Sequence, residues 1–138
     1  MKLSTFAHAS VLSAAIRAAR VTYDDGYDLP SRSLVEVACS DGSNGMIRRG
    51  WHFQSEIPSY PYIGGSSDIA SWNSPNCGQC LAVTFERKSI YILAIDVSTG
   101  SVVNMAKKAM DDITGGRAIE VGTVDADVVA VDNKFCGV

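Results

Sequence analysis

The chain has 138 residues, 46% of them hydrophobic and 20% charged, with 12 Lys/Arg against 15 Asp/Glu. That length gives one ordinary domain with a core of its own, and no apolar run reaches the roughly 20 residues of a membrane-spanning helix. The excess of acid, with no basic cluster larger than Arg48-Arg49 or Lys107-Lys108, argues against nucleic acid as a partner, because phosphate binding needs concentrated positive charge.

Residues 1–20 are expected to be a secretory signal peptide. Lys2 leads into an apolar, small-residue stretch from Leu3 to Ile16, and Ser13-Ala14-Ala15 offers a small-x-small cleavage site. His8 interrupts the apolar run, and Arg17 and Arg20 stand where small residues usually do; the competing reading is an amphipathic helix that stays attached. The folded domain is expected over residues 21–138. Removal of 1–20 takes Lys2, Arg17 and Arg20 and leaves 9 basic against 15 acidic residues, a net charge of −6. Such a surface repels anionic lipid and nucleic acid and leaves neutral carbohydrate, protein or small molecules as partners.

The first strand-like run is Leu34–Ala38, which alternates and stops at a turn containing Asp41-Gly42 and Asn44-Gly45. Ser67–Trp72 is read as one or two helical turns behind a serine cap. Leu81–Phe85 is β-rich, and Glu86-Arg87-Lys88 connects it to Ser89–Ile95, which is apolar at nearly every position, as in a strand buried on both faces. Val103, Ala106, Met110 and Ile113 share one helical face, and Gly115-Gly116 ends that helix. Ala118–Val124 and Val128–Val131 are read as the last strands. Short strands at regular spacing with one modest helix predict a compact β-barrel in a single domain.

All four cysteines, Cys39, Cys77, Cys80 and Cys136, follow the leader, and an even number in a small secreted chain implies two disulfides. A Cys77–Cys80 pair would be a strained, redox-type bridge, and no strand–motif–helix pattern surrounds it. Pairing each with a distant cysteine constrains the unfolded chain by about 3–4 kcal/mol per bridge. Two long-range connectivities then remain. Zinc is not expected, since past residue 20 His52 is the one histidine; Asp125-x-Asp127 lacks the glycine and glutamate of a calcium loop. No cofactor motif is present.

Several segments fall in a family order: Val21-Thr22-Tyr23-Asp24-Asp25-Gly26-Tyr27-Asp28, Cys39-Ser40-Asp41-Gly42-Ser43-Asn44-Gly45, Tyr62-Ile63-Gly64-Gly65, Trp72–Cys80, Ile92–Asp96 and the closing Cys136-Gly137-Val138. Together they resemble the cerato-platanin family of small secreted fungal proteins, over roughly Val21 to Val138. The resemblance implies a six-stranded double-ψ β-barrel related to the first domain of expansins, with disulfides Cys39–Cys77 and Cys80–Cys136. It also implies secretion into the medium or the fungal wall, binding of chitin and N-acetylglucosamine oligomers, wall loosening without hydrolysis, and elicitation of plant defences. One segment departs from the family. Where the family has a His or Thr, a Gly-rich turn and an aromatic residue after its Ile-Asp, this chain has Val97-Ser98-Thr99-Gly100-Ser101-Val102-Val103-Asn104.

Asp96 ends the most hydrophobic strand, so its carboxylate is either at a barrel mouth or satisfied by backbone donors, because burying it bare is very costly. It matches the acidic residue of the expansin-like groove and is the first candidate for a sugar-hydroxyl acceptor; the plainer reading is a cap for the following loop. Tyr23 and Asp24 alternate ring and carboxylate with Tyr27 and Asp28, as a sugar face and its hydroxyls require, although tyrosines packed on the barrel explain the pattern equally. Asn44 in its turn and Asp125 at a strand end complete the set. Trp72 is read as a core anchor, and Trp51, His52 and Gln54 as weak candidates. A hydrolase would need a second carboxylate at a set distance from Asp96, and spacing forces neither Asp24 nor Asp125 into that place. The expected function is therefore non-catalytic binding of chitin oligosaccharides. The alternative is a surface-active elicitor acting through a plant host protein without sugar.

Overall fold

The computed structural model describes residues 16–138, so most of the expected leader, 1–15, lies outside the described residues. Among the described residues there are six strands: β1 (Arg17–Tyr23), β2 (Ile63–Ser66), β3 (Cys80–Phe85), β4 (Lys88–Val97), β5 (Val103–Met105) and β6 (Val124–Val131). They close into a barrel in the order β1-β5-β2-β4-β3-β6. The β1–β5 and β2–β4 pairs are parallel and the remaining four antiparallel. This is the barrel expected, with one helix of eight residues and both expected disulfides, Cys39–Cys77 and Cys80–Cys136.

The central hairpin follows from its sequence. β4 carries Ile92, Leu93, Ala94 and Ile95, all essentially buried, as a strand covered on both faces requires. It joins β3 through Glu86 and Arg87, both at positive φ (46° and 68°) with Phe85 opposite Lys88. That left-handed two-residue turn matches the strand twist, and here it is made without glycine.

Other elements differ from the expectations. β1 begins at Arg17, four residues ahead of the expected Val21. Arg17–Val21 pairs with Val124–Val128 of β6, and the alternation buries Ala19 and Val21 while Ala18 and Arg20 stay outside. Leu34–Ala38 is not a strand: Leu34–Glu36 forms a single 3-10 turn, because the Ser33 hydroxyl accepts from the Val35 amide at 3.3 Å. Its alternation survives only as burial of Leu34 and Val37 with Val35 outside. Ser67–Trp72 forms turns that bury Ile69.

The Val103–Ile113 face is divided between two elements. Val103 belongs to β5, and helix α1 runs from Lys107 to Thr114 with Ala109, Met110 and Ile113 buried. The start of α1 is capped from far away: Asp28 accepts from the Lys107 and Lys108 amides at 2.7 and 2.9 Å, satisfying two N-terminal donors. Gly115 ends α1 at φ 67°, a left-handed position that glycine takes at no cost. Ala118–Val121, read as a strand, is a single helical turn, α2, stopped by Gly122. β6 then runs unbroken from Val124, absorbing Val128–Val131. Among the described residues, no helix is long and apolar enough to cross a membrane.

Candidate functional site

Asp96 lies next to last on β4, opposite Gly65 of β2, where a bulge between Gly64 and Gly65 shifts the register. Bulges re-aim side chains, and Asp96 is half-buried with three donors on its carboxylate. Oδ1 accepts from the Ala38 amide at 3.0 Å and from its own neighbour's amide, Val97, at 2.9 Å. Oδ2 accepts from the Tyr27 hydroxyl at 3.0 Å. Both readings of Asp96 therefore meet in one geometry: it is satisfied by backbone donors and also reaches water.

Tyr27 is 3% exposed. It sits in the 3-10 turn Asp25–Asp28, whose cap is Asp24, accepting from the Gly26 amide at 2.7 Å. The Arg32 guanidinium lies over the Tyr27 ring, 5.4 Å from its centroid. Burial, and then the charge and hydrogen bond of Asp96, push the Tyr27 hydroxyl far above its ordinary pKa, so it remains a donor at any physiological pH. Behind the turn, Gln54 is fully buried, and its Nε2 donates to the carbonyls of Gly26 and Leu29 at 3.0 and 2.8 Å.

A polar row continues from Asp96 across the barrel. Gly65 stands opposite Asn104 of β5, and Asn104 opposite Thr22 of β1. The Thr22 hydroxyl donates to Asn104 Oδ1 at 2.9 Å and shares a 2.8 Å bond with Ser101, which in turn bonds Ser98 at 2.9 Å. Serines occupy this loop, where the family resemblance predicts an aromatic ring. A Cβ on Gly65 would meet the Val97 carbonyl oxygen at 2.7 Å, so the backbone needs glycine there.

The five residues singled out from sequence are not all together. Tyr23 is half-buried at the end of β1 and packs on the core, and Asp24 is a cap close enough to Tyr27 to act on its hydroxyl. Asn44 makes no bond to Asp96. It is tied to Asn73, whose Oδ1 accepts its amide at 2.8 Å and whose carbonyl accepts its Nδ2 at 3.1 Å. There it lines a polar cleft of about 420 Å³ with Arg49, Asn76, Gln79 and Asn133. Asp125 points outward from β6, opposite Arg20 of β1.

Trp72 is not a core anchor. It is 58% exposed, with its indole N–H on Asp41 Oδ1 at 2.9 Å, and that bond holds the Asp41 carboxyl below its usual pKa. Sequence reasoning passed over Tyr27 as Asp96's partner, since 69 residues separate them, and gave Gln54 little weight. Among the described residues, no three His, Cys, Asp or Glu side chains gather as a metal site.

A six-stranded closed barrel with two disulfides and a polar row ending at a tyrosine-held aspartate defines a class of small barrel proteins. Comparison supplies its family. The family model described as cerato-platanin matches residues 19–138, and the chain belongs to the cerato-platanin family. It is 48% identical over 117 residues to the heat-stable 19 kDa antigen of Coccidioides immitis, covering 85% of this chain and 80% of that one. It superimposes on the crystal structure of cerato-platanin 1 from M. perniciosa with a TM-score of 0.82 at 48% identity, over 86% of this chain and 99% of that one. The solution structure of the fungal elicitor cerato-platanin matches with a TM-score of 0.76 at 35% identity, over 85% and 95% of the two chains.

Proposed function

We propose that this chain is a secreted, non-hydrolytic carbohydrate-binding protein that takes chitin-derived N-acetylglucosamine oligomers on the polar row ending at Asp96. In this reading it acts in or near the fungal wall, loosens polysaccharide contacts without cleaving them, and elicits responses in a plant host. The observation that carries it is the state of the Asp96 carboxylate. Its two oxygens offer about four acceptor positions, three are filled by Tyr27, Ala38 and Val97, and the group is only half-buried. A fixed carboxylate with acceptor capacity to spare is what a sugar hydroxyl needs. Each donor bound to it is a hydroxyl or a backbone amide, so a carboxylate pair sharing a proton does not form there. Asn44 and Asp125 make no bond to Asp96; Asp125 stands opposite Arg20, two residues before Thr22 on the same outward side of β1, and so borders the row rather than the carboxylate.

Calorimetric titration with N-acetylglucosamine oligomers of increasing length tests the proposal, with Asp96→Ala and Asp96→Asn alongside. Affinity should rise with chain length and collapse in both variants, with no reducing sugar released. Absence of binding by the native protein would instead favour an elicitor acting through a host protein. One observation favours that second reading: Ser98 and Ser101 occupy the loop where an aromatic platform would stand.

A further inference from the structure

We propose that a cleft beside the other end of β4 is a second saccharide site, taking one hexopyranose ring of a neutral glycan. The cleft measures about 510 Å³ and is lined by Tyr60, Tyr62, Ser89, Tyr91, Asp112 and Phe135 among others. That volume lies within the range of small-ligand pockets. At about 3.3 Å per strand residue, Tyr91 and Asp96 stand roughly 16 Å apart along β4, so the two sites are distinct and neither proposal needs the other.

The lining combines flat apolar faces with a polar rim. Tyr91 and Phe135 stack at 5.1 Å between centroids and 23° between planes, and Phe135 remains 49% exposed. Keeping a phenyl ring at the surface forgoes the burial that normally places Phe inside; Tyr91 stacks on it and the Lys134 ammonium lies 5.6 Å from its centroid, so the C–H face of a pyranose reaches the ring by displacing that exposed lysine. Asp112 supplies the rim. It accepts from the Tyr62 hydroxyl at 2.6 Å and pairs with the Lys88 ammonium. The Lys88 bond first, and the Tyr62 bond second, hold its carboxyl below the ordinary range, which keeps it an acceptor. The Tyr91 hydroxyl makes no hydrogen bond to a described residue and is free to donate.

Charge balance selects the ligand class. Lys88 neutralises Asp112 and Lys134 stands over Phe135, so an organic cation finds its counter-charge taken and a like charge nearby, while an anion that uses the rim meets the Asp112 carboxylate. An aliphatic chain would desolvate the ion pair and the hydroxyls without replacing their hydrogen bonds. A neutral polyol ring with two C–H faces satisfies rings and rim together.

The experiment is an amide NMR titration of the protein with the N-acetylglucosamine tetramer and, separately, the β-1,4-linked glucose tetramer. Native protein should show saturable shifts at Ser89, Ile90, Tyr91, Phe135 and Gly137 with at least one oligomer. Phe135→Ala should weaken that binding about tenfold, the worth of one aromatic stack, and Phe135→Leu, which retains bulk without a flat ring, should do the same. Asp96→Asn should leave these shifts unchanged, while the Asp96 site reports separately through Ala38 and Val97. The proposal is overturned if the five amides stay still with both oligomers at millimolar concentration. It is equally overturned if their titration is unaltered by both Phe135 variants.

Discussion

Replacing Tyr27 with Phe removes one hydroxyl from a buried side chain and leaves its ring packed beneath Arg32. What disappears is the 3.0 Å bond to Asp96 Oδ2. A hydrogen bond to a charged acceptor contributes about 1.5–3 kcal/mol. Asp96 is half-buried, however, and water can reach the vacated oxygen, so the expected loss is about 1–2 kcal/mol. With a urea slope of about 2 kcal/mol/M, the unfolding midpoint should fall by roughly 0.5–1 M. Asp96→Asn keeps an acceptor for the Ala38 and Val97 amides and can donate to the tyrosine oxygen, so it isolates the charge. Combined with Tyr27→Phe in a double-mutant cycle, it should reveal a coupling of about 1 kcal/mol. A carboxylate released from Tyr27 is also less well aimed, and oligomer affinity should drop by roughly three- to tenfold, about 0.7–1.4 kcal/mol. Additive single mutants, or a Tyr27→Phe midpoint equal to that of the native protein, would refute the idea that this bond organises the site.

Breaking Cys80–Cys136 by a double Cys→Ser change opens a link spanning 56 residues and should cost about 4 kcal/mol, lowering the melting temperature by roughly 12–20 °C; a shift under 5 °C in calorimetry would contradict this. Alkaline stability carries a second signature. Asp112's hydrogen bond, more than burial, pushes Tyr62 up to about 12, and Tyr27 is raised mainly by burial. Both folded values exceed the unfolded value near 10, so their stabilisation is complete below pH 10 and is lost as pH climbs through the folded values. Melting temperature should therefore fall between pH 10 and 12, less steeply in Tyr62→Phe, and a flat profile would exclude the effect. Finally, the proposed secretion predicts a processed chain that begins no later than Arg17, a cut after Ala15 leaving β1 whole. Intact-mass measurement giving Val21 as the first residue would mean that the Arg17–Asp68 bonds at 3.0 and 3.1 Å and four of the five β1–β6 pairs are dispensable.

Strands whose two faces are both buried were legible: β3 and β4 announce themselves by unbroken apolar runs. β1 was hidden because Arg17-Ala18-Ala19-Arg20 reads as the tail of a leader, and only its pairing with β6, about a hundred residues away, makes it a strand. β2 is half glycine and carries no propensity, since its conformation is imposed by neighbours whose backbones approach it closely. Leu34–Glu36 and Ala118–Val121 misled for a shared reason. β-branched residues favour strands only where partners exist, and here a serine cap and a following glycine closed the turns first. At the site, Asp96 could be found because a carboxylate at the end of an apolar strand demands explanation. Tyr27 could not be assigned to it, because a contact 69 residues distant leaves no local pattern.

The strand order also constrains when this molecule can exist. β6 is the last strand of the chain, yet it lies between β3 and β1, bonding the first strand to the third. While the chain is still emerging from the ribosome or a translocation pore, the other five strands can form only an open sheet with two bare edges, one of them the amino-terminal strand. Such edges recruit strands from other chains, and closure across so large a sequence separation is slow. Biogenesis therefore passes through an unprotected interval that ends only when the final fifteen or so residues are delivered. Truncation at the carboxyl end should accordingly yield not a smaller barrel but an open, self-associating sheet.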